Sequence, residues 1–239
     1  MKIGSVLIKG ENQKVFHVPE GVTHIGEYAF IGCLDLEEIY LPDSLIEIGV
    51  CAFENCNGLK RIHFGEGLEI ISERAFCACQ KLREVNLPGS IKCISNEAFA
   101  FCSKLEIVNI EEIGNYIELI GSNAFAYCDS LEEVSIKKRV QAWDSNAFAF
   151  APLKEFVFPD MPEMGGKIYK ELFWGCSELE RVVLPRNLKD LGYETFYGCP
   201  KLQEVVRKDD KWEEMEDDKI KEFFDGLVET AKNDNSSDK

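Results

Sequence analysis

An Ala-Phe pair that returns about every 23 residues constrains this chain more than any other feature. It stands at Ala29-Phe30, Ala52-Phe53, Ala75-Phe76, Ala98-Phe99, Ala124-Phe125 and Ala147-Phe148, with altered copies at Leu172-Phe173 and Thr195-Phe196. The phenylalanines lie 23, 23, 23, 26, 23, 25 and 23 residues apart. Three residues after each comes a cysteine (Cys33, Cys56, Cys79, Cys102, Cys128, Cys176, Cys199), replaced once by Ala151. Leucine follows three residues further on, from Leu36 to Leu202, and arrives one residue early at Leu153. An alternating apolar run comes next, as in Leu36-Glu37-Glu38-Ile39-Tyr40-Leu41, often closed by proline, as at Pro42, Pro88, Pro159 and Pro185.

An apolar period of two marks a strand with one buried face, and the proline ends it. One such strand per repeat has no hairpin partner, because the return path uses the rest of the repeat. Successive strands must therefore stack in parallel, one short strand per coil, at roughly 4.8 Å. About eight coils in a right-handed solenoid are expected, with one helical or 3₁₀ turn per coil on the outer side. The two long spacings predict bulges that leave the coil intact, near Glu111 to Tyr116 and from Asp160 to Gly166. The solenoid should fill residues 1–208, with 1–24 as a worn first coil or cap. Residues 207–239 hold 12 acids against 7 bases, and Ile220, Phe223, Phe224, Leu227 and Val228 fall at helical spacing. Residues 209–239 are therefore expected to form an acidic amphipathic helix over the last coil, followed by a disordered tail.

Read as IGxxAFxxCxxLxxIxLPxSL, the coils resemble the BspA-type leucine-rich repeat over nearly all of residues 15–206. Ala151, the altered pairs near the end, Arg207 and the two insertions depart from that pattern. The resemblance implies an α/β leucine-rich-repeat solenoid that binds other proteins. It also implies relatives among surface and secreted proteins of bacteria and protists, some of them adhesins.

A formal charge of −16 makes nucleic acid an unlikely ligand. No apolar stretch is long enough to cross a bilayer, and Lys9 interrupts what would be the apolar part of a signal peptide. The expected placement is cytoplasmic, with a secreted or cell-surface protein as the alternative. Seven of ten cysteines share one register, which is a packing position for buried thiols. Cys77-Ala78-Cys79 lacks the spacing of a zinc ligand pair. His17 and His63 stand two coils apart, too far for one metal ion to bridge. No catalytic motif or phosphate loop is present, so neither an enzyme nor a cofactor or metal site is expected.

The exposed side of the strands is then the surface left for recognition by a partner protein. Its central row reads His17, Tyr40, His63, Asn86, Asn109, Ser135, Val157, Val183, Val206. Tyr40, with His17, His63, Arg61 and Arg83 around it, has the aromatic and arginine content that interface anchors favour. Asn86 and Asn109 extend this candidate protein-binding site, and the chain is expected to act as a monomer.

Overall fold

The computed structural model describes residues 2–3, 6–7, 9, 12–112, 114, 116–162, 166–186, 188–208 and 226–231. The chain winds as a parallel solenoid in which each coil contributes to three sets of backbone hydrogen bonds. The first is the expected ladder of strands: Val15–His17, Glu38–Tyr40, Arg61–His63, Glu84–Leu87, Ile107–Ile110, Glu133–Ile136, Glu155–Val157, Arg181–Leu184 and Glu204–Arg207. These pair in parallel in three groups of three, with interruptions after Arg61–His63 and after Glu133–Ile136. The first interruption coincides with Phe64, set edge-on to Phe76 at 6.1 Å. The second precedes the coil in which Ala151 replaces cysteine and a residue is missing.

The second ladder corrects the expectation of one strand per coil. Between the proline and the Ala-Phe pair, two to four residues of each coil are extended, as in His24–Ile25, Glu47–Ile48, Ile70–Ile71, Cys93–Ile94, Leu119–Ile120 and Ala142–Trp143. With Gly166–Ile168 and Leu188–Leu191 they form a ten-stranded sheet that continues past both insertions. Its N-terminal end is closed by an antiparallel hairpin of Lys2–Ile3 and Val6–Leu7, the latter pairing in parallel with His24–Ile25. Two-residue strands give no visible alternation, so the sequence shows them only as one apolar residue, usually before Gly or Ser.

The outer side of the coil differs too. Instead of a helical turn, each Ala-Phe segment is a pair of tight turns whose third residues have positive φ, the geometry in which glycine is normally preferred. Tyr28 (φ 58°) sits in the turn closed by the Ala29 N–H on the Gly26 carbonyl, and Gly32 (φ 65°) in that closed by Cys33 on Phe30. Among the described residues, all thirteen non-glycine residues with positive φ occupy these two positions, two before or two after the repeat phenylalanine. The turns aim backbone groups along the solenoid axis. The N–H groups of Tyr28, Phe30 and Gly32 donate to the carbonyls of Val50, Ala52 and Glu54 in the next coil, and later coils repeat this third ladder.

The interior is built of columns. Phe30, Phe53, Phe76, Phe99, Phe125, Phe148, Phe173 and Phe196 stack nearly parallel, their centroid separation widening from 4.7 Å at the first step to 5.9 Å at the last two. Where they spread, Trp143, Phe156 and Phe158 fill the space around Phe148 and Phe173. The thiols form a second column. Cys56, Cys79, Cys102, Cys128, Cys176 and Cys199 are buried, and each Sγ–H donates to the phenylalanine carbonyl of the preceding coil at 3.0–3.2 Å. Cys33 is half-buried, and all ten cysteines are free thiols. At the C-terminal end a short helix over residues 226–231 buries Ala231 and packs Leu227 and Val228 on the core. Ile220, Phe223, Phe224 and the expected disordered tail lie outside the described residues.

Candidate protein-binding surface

The outward row of the first ladder keeps the register read from the repeat: His17 pairs with Tyr40, Tyr40 with His63, and Asn86 with Asn109. In the first three coils the row becomes one aromatic stack. The Tyr40 ring lies 4.3 Å from His17 at an interplanar angle of 9°, and 4.1 Å from His63 at 4°. The strand spacing sets this separation, because flat rings on equivalent positions of parallel strands meet face to face. Tyr40 fills the gap between the two imidazoles.

Glu38 holds this stack in place. Its carboxylate accepts two hydrogen bonds from Arg61 (3.1 and 2.9 Å), one from the Tyr40 hydroxyl (3.0 Å), and lies 2.7 Å from Nε2 of His63. The Arg61 bonds first, then His63, pull its pKa down to about 2. Arg61 is the most solvent-exposed member of the pair, at 64% against 14% for the Glu38 side chain. The cluster thus presents a neutralised, ordered surface with a guanidinium at its edge.

Arg83, Asn86 and Asn109 do not join that cluster. They fall beyond the first interruption and make their own contacts: Arg83 with Glu106 at 2.5 Å, Asn86 with Glu84 at 2.9 Å, and Asn109 with Asn86 at 2.9 Å. Two polar patches therefore stand where the sequence implied one. Beside them run two charged rows, in which Glu37 sits between Lys14 (3.6 Å) and Lys60 (2.8 Å), and Arg181 between Glu155 and Glu204. Opposite charges on neighbouring strands satisfy each other, which accounts for most of the charge on this face.

A further surface escaped the sequence reading. On the outer turns, Phe101, Tyr127 and Phe150 stack at 4.8 and 4.7 Å, and Trp174 and Tyr197 carry the line onward at 5.9 and 6.1 Å with tilted rings. Phe101 is 47% exposed and Tyr127, Phe150 and Trp174 are each 39% exposed. The first three occupy a positive-φ position, two residues after the repeat phenylalanine. The signal was an aromatic two residues past the Ala-Phe pair in three successive coils: Phe99-Ala100-Phe101, Phe125-Ala126-Tyr127 and Phe148-Ala149-Phe150.

A family model for the BspA-type leucine-rich repeat region matches residues 1–118 and 111–218, in six copies. The chain belongs to the BspA-type leucine-rich repeat family. Repeats of this family typically serve as non-enzymatic, protein-binding or adhesin-like scaffolds. Among solved structures, this BspA-type chain is similar to a leucine-rich repeat protein of Bacteroides ovatus, with 23% identity over 85% of this chain and 66% of that one and a TM-score of 0.46. It is also similar to the Treponema pallidum leucine-rich repeat protein (T. pallidum), with 24% identity over 85% of this chain and 75% of that one and a TM-score of 0.44. A leucine-rich cell surface protein of Faecalibacterium prausnitzii matches at 17% identity over 83% and 80%, with a TM-score of 0.42. The chain thus spans just under two thirds of the Bacteroides ovatus protein. No curated protein sequence matches it. No helix among the described residues is long and apolar enough to cross a membrane.

Proposed function

We propose that this BspA-type solenoid is a non-catalytic scaffold that binds another protein as a monomer, through the exposed face of its first ladder. The observation that carries the reading is the His17–Tyr40–His63 stack, three rings face to face on an open surface and held by Glu38 and Arg61. Side chains already ordered lose little entropy when a partner docks, and tyrosine and arginine are the residues most often found at interface hot spots. Arg83, Asn86 and Asn109 would act as a second, separate polar contact on the same face. A Tyr40→Ala/Arg61→Ala double variant, which alters only the exposed face, should lose the partner recovered by affinity capture with the native chain. Full recovery would remove this site.

A second reading places the contact on the outer aromatic row, because four large rings lie exposed there in one line. Tyr127→Ser/Phe150→Ser then loses the partner while Tyr40→Ala/Arg61→Ala keeps it. The cytoplasmic and the surface-adhesin placements both accommodate a protein-binding scaffold, and membership of this family supports the adhesin alternative. Protease accessibility of the protein on intact source cells separates the two placements.

A further inference from the structure

The longest repeat, the 26 residues between Phe99 and Phe125, carries three extra residues, and a gap opens beside it in the side of the solenoid. Lys138 lies in that gap. Its ammonium reaches past the intervening coil to donate to the carbonyls of Gly89 (2.6 Å) and Ile91 (2.9 Å), 49 and 47 residues back in the chain. The residue is only 3% exposed, and among the described residues no carboxylate pairs with it. Burial chiefly, then the charge of Lys92, lowers its pKa against the opposing pull of Glu69.

Above Lys138 opens a notch of about 320 Å³, walled by Glu69, Lys92, Gly114, Tyr116 and Glu118. Gly114 has φ +85°, and a Cβ there would lie 3.5 Å from the Lys138 ammonium, so the loop comes down closely over the buried charge. Lys92 is engaged with Glu69 at 2.7 Å, and the Ser90 hydroxyl donates to the Leu68 carbonyl at 2.6 Å. Two charges are then left without an ion-pair partner among the described residues: an ammonium on the floor with one of its three N–H groups unspent, and the Glu118 carboxylate on the rim. A buried charge without a counter-ion is costly, and an anion of matching size removes that cost.

We infer that the notch binds the head group of a small α-amino acid, its carboxylate on Lys138 and its ammonium on Glu118, with Tyr116 beside its side chain. The test is NMR on the full chain with ¹³C-labelled lysine, following the Lys138 signal, assigned with Lys138→Arg, during titration with glycine, acetate and methylammonium chloride. Glycine should give a saturable shift, and acetate a weaker one whose midpoint is about three-fold higher, as expected for loss of one exposed ion pair. Methylammonium should give none. Glu118→Gln, on the exposed rim, should raise the glycine midpoint to that of acetate. No saturable shift with glycine overturns the site, and equal midpoints for glycine and acetate in the native chain overturn the role of Glu118.

Discussion

The carbonyl oxygen of Phe76 sits inside the coil with two partners. The N–H of Cys79 closes a tight turn onto it, and the Sγ–H of Cys102 in the next coil lies 3.2 Å away. Alanine would fit the space and leave the second lone pair empty, which gives a physical reason for cysteine rather than alanine at this position. Cys102→Ala should therefore cost about 1–2 kcal/mol, part lost hydrogen bond and part small cavity, measured by chemical denaturation. Burial pushes the thiols of Cys56, Cys79, Cys102, Cys128 and Cys176 up, Cys56 to about 12, so they stay protonated at neutral pH and donate. Glu38 shows the opposite shift. Its folded pKa, about 2, lies below the ordinary carboxyl value of 4.5. Its contribution to stability is thus complete above pH 4.5 and is lost as the pH falls through about 2. A carboxyl ¹³C titration should place the Glu38 midpoint near 2, and Arg61→Ala should move it back up toward 4.5.

At the scale of the coil, the tight outer turns exchange local strain for contacts between coils. A non-glycine residue at positive φ costs about 1–2 kcal/mol, yet thirteen are present among the described residues, and most of them, such as Tyr28, Arg74 and Ala78, place an N–H where the next coil accepts it. Ala78 (φ 59°) has a side chain too small to offset that cost, so Ala78→Gly should stabilise the protein by about 0.5–1 kcal/mol in urea unfolding. Gly175→Ala should destabilise it by more than that. The φ of 71° is unfavourable to alanine, and the added Cβ would lie 2.6 Å from the Phe150 ring. These turns also mark the limit of what the sequence conveyed. Buried columns were legible because phenylalanine, cysteine and leucine recur at fixed spacing, and the outward row was legible because strand alternation is strict. Left-handed positions were not, since Tyr28, Arg74, Glu97 and Asn146 share no side-chain chemistry, only a backbone conformation. The interruption between His63 and Glu84 left only a faint trace, Phe64-Gly65 where neighbouring coils carry Leu41-Pro42 and Leu87-Pro88.

Across the whole molecule the backbone pairing joins neighbouring coils, and side chains such as Lys138 and Lys208 reach two coils away, so stability accumulates along one axis. Removing residues 77–99, one exact 23-residue period, should leave a shorter solenoid with native-like circular dichroism and a cooperative melt. Removing 77–98 should give a less stable solenoid, because the join leaves one extra residue in a tight outer turn whose φ pattern and phenylalanine-to-cysteine spacing are fixed. The thiol column adds a built-in recorder of how such a spring comes apart. A buried, protonated sulfur resists alkylation until its coil peels from the one before it, so a pulse of iodoacetamide tags the coils that have opened. Cys33, half-buried in the first of these coils, should be tagged first and Cys102 and Cys128 last, with mass spectrometry reading the sequence of tags as a map of the unwinding front.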